Sequence, residues 1–201
     1  MRPLEGVRIL DLSHVLAMPY CTMILSDLGA EVIKIEKSDG DDSRKFGPYK
    51  NGESAYFMSI NRNKKSVVLN LKEEKGKEIL RELIKICDVV TENFRPGTME
   101  KLGFSYENIK KLNPSIIYAT ISQFGNDSVY PGRPGYDIIA QAYGGLMSIT
   151  GYPDNPPTRV GSSLADIMSG MFSAIAILGA LRTKEKTDQG QYIDTAMVDC
   201  I

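Results

Sequence analysis

The sequence predicts an α/β fold in which helices cover both faces of an open, doubly wound, mostly parallel sheet. Three observations support this prediction. Short apolar segments alternate with segments of helical periodicity, 201 residues are enough for one domain of ordinary to large size, and the composition, 42% hydrophobic and 24% charged, is that of an average globular protein. Strands joined through helices are expected to lie parallel. The same composition excludes a disordered chain, a collagen and a coiled coil.

The first half of the chain contains two β-α-β units separated by a long excursion. The first unit is predicted as strand 7–12, helix 18–28 closed by Gly29, and strand 31–36. Strand 31–36 alternates apolar and charged residues, as a half-buried strand does. The excursion, 37–65, is rich in Gly, Asp, Ser, Asn and Lys. The second unit is predicted as strand 66–71, helix 73–86 and strand 88–91.

The second half continues the same alternation. The predicted elements are helices 98–102 and 106–112, strand 115–121, loop 125–135, helix 136–150, loop 152–163, helix 166–181 and strand 191–197. Residues 198–201 are mostly apolar and lack the polar character expected of a natural terminus. We therefore expect residues 1–201 to be the N-terminal portion of the large domain of a longer protein.

The charge and cysteine content limit the partners of the chain. A net charge of −1 provides no overall field for nucleic acid or an anionic membrane, so an anionic ligand needs a local cluster of cations. Cys21, Cys87 and Cys200 are far apart and lack metal-ligand spacing, which predicts three buried thiols in a reducing compartment and no metal site. No secretory signal or membrane span is evident, so a cytoplasmic protein without a membrane partner is expected.

Cations flank several predicted strands, and three of them, Arg62, Lys64 and Lys65, precede strand 66–71. An open α/β sheet binds its ligands beyond the carboxyl ends of the strands, where these side chains could neutralise a polyphosphate. The alternative is that they are solvated surface charges. The cations are Lys37, Arg62, Lys64, Lys65, Lys72, Arg95 and Lys101.

A dinucleotide site and a serine or cysteine nucleophile are less well supported. Glu36 stands where an acidic residue binds the ribose in NAD-binding folds, but the first turn, SHVLAMPY, lacks the glycines of the dinucleotide fingerprint. His14 is the only histidine, and no G-x-S-x-G motif is present, so a packing role for His14 is the simpler interpretation.

Asp166 is the carboxylate of greatest interest. It lies between a small-residue loop, residues 161–163, and an apolar helix. The free N–H groups and positive potential of a helix N-terminus would favour its ionised, nucleophilic form at neutral pH. From position alone, an ordinary residue of the first helical turn is the better-supported interpretation.

The order of motifs resembles the class III CoA-transferases, which share their fold with α-methylacyl-CoA racemase. The similar segments are PLEGVRILDLSHVLAMPY, LSDLGAEVIKIEK, NRNKKSVVLNLK, ENFRPGTMEKLGF, NPSIIYATISQFG, RPGYDIIAQAYGGLMSITG, PPTRVGSSLADIMSGMFSAIAILGAL and GQYIDTAM. They cover nearly the whole chain. The resemblance implies the Rossmann-like large domain of that family, coenzyme A as part of the acyl-CoA substrate, and a homodimer of interlocked subunits.

The resemblance also implies a set of site residues. The nucleophile of the family falls on Asp166. The CoA-contacting positions fall on Val15, Ala17, Lys37, Leu69, Asn70, Leu71, Lys72, Asn93, Phe94, Arg95, Lys101 and Tyr136. Lys37 and Lys101 stand where family members often have arginine, which keeps the charge but loses the bidentate geometry toward phosphate.

The implied reaction is CoA transfer from an acyl-CoA donor to a carboxylic acid acceptor through an aspartyl-CoA intermediate on Asp166. The racemase alternative needs a histidine as acid and base, and Tyr136 stands in its place. A neutral tyrosine, whose unperturbed pKa is near ~10, is a poor base at pH 7, so transfer is favoured. A CoA-binding module without catalysis remains a third possibility. The small domain and the carboxyl-terminal return segment of the family have no counterpart in these 201 residues.

Overall fold

The computed structural model describes residues 2–130 and 132–201. Six parallel strands form the main sheet in the order β5-β2-β1-β6-β7-β8, and β3 and β4 form a separate antiparallel hairpin. The strands are β1 Arg8–Asp11, β2 Glu31–Glu36, β3 Tyr49–Lys50, β4 Glu53–Ser54, β5 Lys64–Val68, β6 Val89–Glu92, β7 Ile117–Ser122 and β8 Tyr192–Ala196. The predicted parallel, doubly wound sheet is confirmed.

Seven α-helices lie among these strands in the described residues. They are α1 Ala17–Asp27, α2 Ala55–Asn61, α3 Glu74–Ile86, α4 Thr98–Leu102, α5 Tyr106–Leu112, α6 Asp137–Tyr143 and α7 Leu164–Thr187. Short 3₁₀ turns occupy Asp42–Lys45, Leu146–Ser148 and Met197–Cys200.

A hydrophobic core lies on each face of the sheet. On one face α1 and α7 pack against the sheet through residues such as Met18, Leu25 and Ile177. On the other face Leu80 and Ile84 of α3 and Ile109 of α5 do the same. Because both faces are covered, the sheet has no solvent-facing side over most of its width.

The small residues of α7 allow it to pack closely against α1. A Cβ atom on Gly170 would lie 2.5 Å from the backbone oxygen of Ala17, which is closer than any side chain tolerates. By length and hydropathy alone α7 could span a membrane, with a mean hydropathy of 1.8 over its most apolar window. One side of α7 packs against α1 and the sheet, whereas Met171, Phe172 and Ile175 on the helix are exposed.

Four predicted segments need correction. The excursion 37–65 is not a loop throughout, because it contains the β3-β4 hairpin and α2, which Ser54 caps by accepting from the Phe57 N–H at 3.1 Å. Strand β5 begins at Lys64, two residues before the predicted start. The predicted helix 136–150 ends at Tyr143, and α7 is longer at both ends than predicted. Cys21 and Cys87 are buried as predicted, but Cys200 is only half-buried.

The charged positions of β2 were also misjudged. Lys34 and Glu36 are buried rather than solvent-facing, because α-helical and loop segments cover both faces of this parallel sheet. The Lys34 ammonium lies 2.9 Å from the Asp41 carboxylate, and both side chains are almost fully buried.

Candidate active site at the carboxyl edge of the sheet

The candidate site lies where the strand order reverses direction, between the neighbouring strands β1 and β6. The loops that follow these two strands are joined by the side chain of Asn93. Its Oδ1 accepts from the His14 N–H and its Nδ2 donates to the His14 carbonyl, both at 2.9 Å. This reciprocal pair aligns the two loops at the switch point.

The loop after β1 has a constrained backbone. Val15 adopts φ 65°, a left-handed conformation that a β-branched residue rarely tolerates. Its N–H donates to Asp41 Oδ1 at 3.2 Å, and Lys34 Nζ donates to the Ser13 carbonyl at 2.7 Å. Burial works to raise the pKa of Asp41, but the Lys34 ammonium and the hydrogen bonds from Ser43 together outweigh burial and leave that pKa below its ordinary value. The buried Lys34–Asp41 ion pair therefore stabilises the strained backbone of the loop after β1.

A large cavity of about 580 Å³ opens beyond the ends of β1, β2 and β5. Its lining combines apolar side chains with charged and amide groups. The lining includes Leu12, His14, Ile35, Lys37, Asp39, Leu69, Asn70, Leu71, Lys72, Phe94 and Leu102. Six of the residues predicted from the resemblance to contact CoA meet here: Lys37, Leu69, Asn70, Leu71, Lys72 and Phe94.

A second cavity of about 190 Å³ contains Asp166. His14 and Phe94, whose rings stack with centroids 5.5 Å apart, line both cavities, so the two adjoin. The other predicted residues in this cavity are Val15, Ala17, Asn93, Arg95 and Tyr136. Apart from Lys101, the predicted residues therefore come together from six separate segments around two neighbouring cavities.

Asp166 lies in the first turn of α7, and that turn is capped by another helix. Asp137 of α6 accepts from the Ala165 N–H at 2.7 Å through Oδ1 and from Gln141 Nε2 at 2.6 Å through Oδ2. No hydrogen bond from the Ser163 side chain caps the helix. A tertiary contact thus satisfies one of the free N–H groups at this end.

Asp166 is less ionised at neutral pH than its place at a helix N-terminus suggests. Burial, helped by the negative charge of Asp137, raises the pKa of Asp166 to about 7. Asp137 also takes up one of the free N–H groups at this helix N-terminus, that of Ala165. Asp166 is consequently poised between the carboxylic acid and the carboxylate near neutral pH.

The charge pattern suggested that the cations lie together at the carboxyl edge of the sheet, but three of them do not. Lys64 lies 3.0 Å from buried Asp11, and Lys65 lies 2.6 Å from Glu31, at the opposite end of β5 from the cavities. Arg62 pairs with Asp27. Strand β5 begins at Lys64, so these three residues lie at its amino end rather than its carboxyl end.

The remaining cations differ in whether they already form an ion pair with a carboxylate of the protein. Lys37 donates to Asp42 at 2.8 Å, so it is already engaged in an exposed ion pair. Lys72, Arg95 and Lys101 form no ion pair among residues 2–130 and 132–201. Lys101 lies on the exposed side of α4 and does not line either cavity, although Thr98 of that helix does.

Glu36 is not free to bind a ribose. Its carboxylate accepts from Arg44 Nη2 and Nε at 2.7 Å, from Ser66 Oγ at 2.6 Å and from the Asp41 N–H at 2.8 Å. These four donors saturate the carboxylate. Burial lowers the pKa of His14, so this side chain is neutral near pH 7.

The sequence reasoning missed several residues of the site. Lys34 and Asp41 stabilise the loop after β1. Asp137 raises the pKa of Asp166, and Gln123 lies in the same cavity as Asp166. Of these, only Gln123 carries a signal in the sequence, because it follows a buried strand at the ligand-binding edge. Within the described ranges no group of three or more His, Cys, Asp or Glu side chains is arranged to hold a metal ion.

Comparison with known proteins identifies the family of the chain. The sequence profile of CoA-transferase family III matches residues 4–201. The chain belongs to CoA-transferase family III. Similar curated members of the family include an acetyl-CoA:oxalate CoA-transferase of Acetobacter aceti, 49% identical over 98% of this chain and 51% of its own length. A succinyl-CoA:glutarate CoA-transferase of Mus musculus is 50% identical over 96% of this chain and 45% of its own length.

A solved structure also shares the fold. The crystal structure of a CAIB/BAIF family protein from Brucella suis is 43% identical, with a TM-score of 0.95, over 99% of this chain and 54% of that one. The chain spans about half the length of the curated relatives it matches.

Proposed function

We propose that the protein transfers coenzyme A from an acyl-CoA thioester to a carboxylic acid, with Asp166 as the nucleophile. The observation that carries the proposal is the position of Asp166: a partly buried carboxyl group of raised pKa in a cavity that adjoins a larger one. A carboxyl group in such an environment is a candidate for covalent catalysis. Membership of CoA-transferase family III supports the reaction class.

The two cavities suit the two ends of an acyl-CoA. The larger one has apolar walls for the adenine ring, from Leu69 and Leu102, and an unpaired cation, Lys72, for phosphate. The smaller one would take the thioester beside Asp166. Phe94 and His14, common to both cavities, would contact the pantetheine chain between them.

The proposed chemistry proceeds by two symmetrical half-reactions. The Asp166 carboxylate attacks the thioester carbonyl of the donor, forming an anhydride and releasing the CoA thiolate. The thiolate attacks the aspartyl carbonyl, which gives an aspartyl-CoA thioester and the free donor acid. The acceptor carboxylate attacks that thioester, forming a second anhydride, and the returning thiolate yields the acceptor acyl-CoA. Asp166 ends as the carboxylate with which it began.

A dicarboxylic acid is the acceptor class that we propose. The similar curated proteins are named for transfer to oxalate, to glutarate and to mesaconate. Arg95 and Arg133 line the Asp166 cavity and form no ion pair among the described residues, so a second carboxylate of the acceptor would find a cationic partner there.

Acyl exchange tests the proposal directly. Full-length protein is incubated with acetyl-CoA or succinyl-CoA and with oxalate, glutarate or mesaconate, and the new thioester is measured by mass spectrometry. We expect at least one pair to exchange and Asp166→Asn to abolish exchange without unfolding the protein. Asp154→Asn, in an exposed loop, is the matched control and should retain activity.

A trapping experiment tests the intermediate. Hydroxylamine added during turnover should place a hydroxamate on the peptide that contains Asp166. Retained exchange in the Asn variant, or a label on another residue, would contradict the assignment of Asp166 as nucleophile. A protein that binds CoA but exchanges no acyl group with any pair would instead be a binding module.

A further inference from the structure

The cavity of Asp166 contains two polar side chains that nothing in the described protein satisfies. Ser122 and Gln123 are 8% and 5% exposed, at the carboxyl end of β7. The Ser122 hydroxyl and both the oxygen and the nitrogen of the Gln123 amide have no hydrogen-bonding partner among the described residues. Both residues line the cavity that contains Asp166.

Packing holds the Gln123 amide in place rather than leaving it free to turn to solvent. A Cβ atom on Gly135 would lie 2.5 Å from Gln123 Cδ, so the amide lies directly against the backbone of the 134–136 segment. The Gln123 carbonyl accepts from the Val198 N–H at 3.2 Å, which anchors its backbone. Side chain and backbone are therefore both constrained.

A comparison with a second buried glutamine shows what is unusual here. Gln141 donates to Asp137 at 2.6 Å and accepts from the Val160 N–H at 2.8 Å, so its amide has a structural role. Buried polar groups in native proteins are nearly always paired in this way, because an unmade hydrogen bond costs stability. An unpaired amide that lines a cavity is therefore a candidate for binding a ligand.

We propose that Gln123 is a substrate-contacting residue that donates from Nε2 to the oxygen of the acyl group at Asp166. This rests on the proposed function, since it places the reacting carbonyl in the Asp166 cavity. The first and the last proposed steps attack the acyl carbonyl and move negative charge onto that oxygen, and a fixed N–H donor stabilises such charge. No bond to Gln123 forms or breaks. Ser122 Oγ, in the same cavity, offers a second donor to the same group.

The substitutions Gln123→Met and Gln123→Leu keep most of the side-chain volume and remove the amide. In full-length protein we expect kcat for acyl exchange to fall about tenfold to hundredfold, with the Kd for CoA within twofold of wild type. The melting temperature should stay equal or rise, because an unsatisfied buried amide has been removed. Gln141→Met is the matched control, and it should lower the melting temperature.

A spectroscopic measurement keeps the inference testable if either variant folds poorly. Acyl-CoA labelled with ¹³C at the thioester carbonyl is bound to the Asp166→Asn variant. The stretching frequency of the labelled carbonyl is then compared with its frequency in the Asp166→Asn/Gln123→Met double variant. Loss of a hydrogen bond should move the band to higher frequency in the double variant.

Wild-type kcat in both Gln123 variants, or an unchanged carbonyl band, would overturn the inference. So would a fall in melting temperature like that of Gln141→Met with activity lost only in proportion to unfolding. If the wild-type protein exchanges no acyl group, the proposed function fails first, and that result is distinct from these.

Discussion

Replacing Asp166 with asparagine should stabilise the protein at alkaline pH while abolishing its proposed activity. Burial and Asp137 raise the pKa of Asp166 from 3.8 to about 7. Between these two pH values the folded protein retains a proton that the unfolded chain releases. Protonated Asp166 thus contributes stability that is fully present below pH 3.8 and is lost as the pH rises through about 7.

The magnitude follows from the size of this shift. A difference between 3.8 and about 7 corresponds to about 4 kcal/mol in the free energy of unfolding well above pH 7. Asp166 keeps partial solvent contact, and water screens part of the cost, so we expect a gain of about 1 to 4 kcal/mol for the Asn variant at pH 9. For a domain of this size that is a rise of at least about 2 °C in melting temperature.

The assay is a series of thermal melts of wild-type and Asp166→Asn protein between pH 4 and pH 9. The difference in melting temperature should be near zero at pH 4 and should grow through pH 7. Asp154→Asn, which changes an exposed loop residue, should show no such growth. A gain that is independent of pH, or an Asn variant that melts lower at pH 9, would refute the account of Asp166 as a buried carboxyl group of raised pKa.

Three further predictions concern activity and packing. The kcat/KM of acyl exchange should rise with pH through about 7 as Asp166 ionises. Asp137→Asn should move this rise in the pH profile to lower pH, because the substitution removes a neighbouring negative charge. A rise at an unchanged pH would show that Asp137 does not raise the pKa of Asp166. Gly170→Ala should lower the free energy of unfolding by about 1 to 3 kcal/mol in thermal melts, since the added Cβ meets the backbone of α1. Gly179→Ala, whose Cβ would meet nothing within 4 Å, should be neutral or stabilising. Equal effects of the two substitutions would contradict the close contact between α1 and α7. Lys34→Met should lower the free energy of unfolding by about 3 to 5 kcal/mol in denaturant, because it leaves the Asp41 carboxylate buried and unpaired. A loss below about 1 kcal/mol would mean that water reaches that carboxylate.

Local patterns in the sequence were enough for the order and type of the main elements. Strand 31–36 and helices 98–102 and 106–112 were predicted with their observed bounds. Period-two and period-3.6 patterns, together with glycine stop signals, are local properties of the chain. The alternation of strands and helices then led to the parallel sheet, and the resemblance of motifs led to Asp166 and to the residues that line the two cavities.

Only the tertiary structure decided which charges are available and in which state. Lys34 looks like a solvent-facing residue of β2, but in the folded protein its side chain is buried beside its ion partner, Asp41, in the loop that follows the strand. Lys64 and Lys65 are cations like Lys72 in the sequence, but strand register turns the first two toward Asp11 and Glu31. Pairing depends on contacts between distant segments, which local patterns do not encode.

The same reason explains the two findings that matter most for the proposed chemistry. The sequence by itself determined that Asp166 opens an apolar helix after a small-residue loop. Its raised pKa depends on burial and on Asp137, 29 positions earlier in the chain, and both arise only when α6 packs against the start of α7. The unpaired amide of Gln123 is likewise invisible before folding, because a glutamine is unsatisfied only with respect to the neighbours that the fold brings to it.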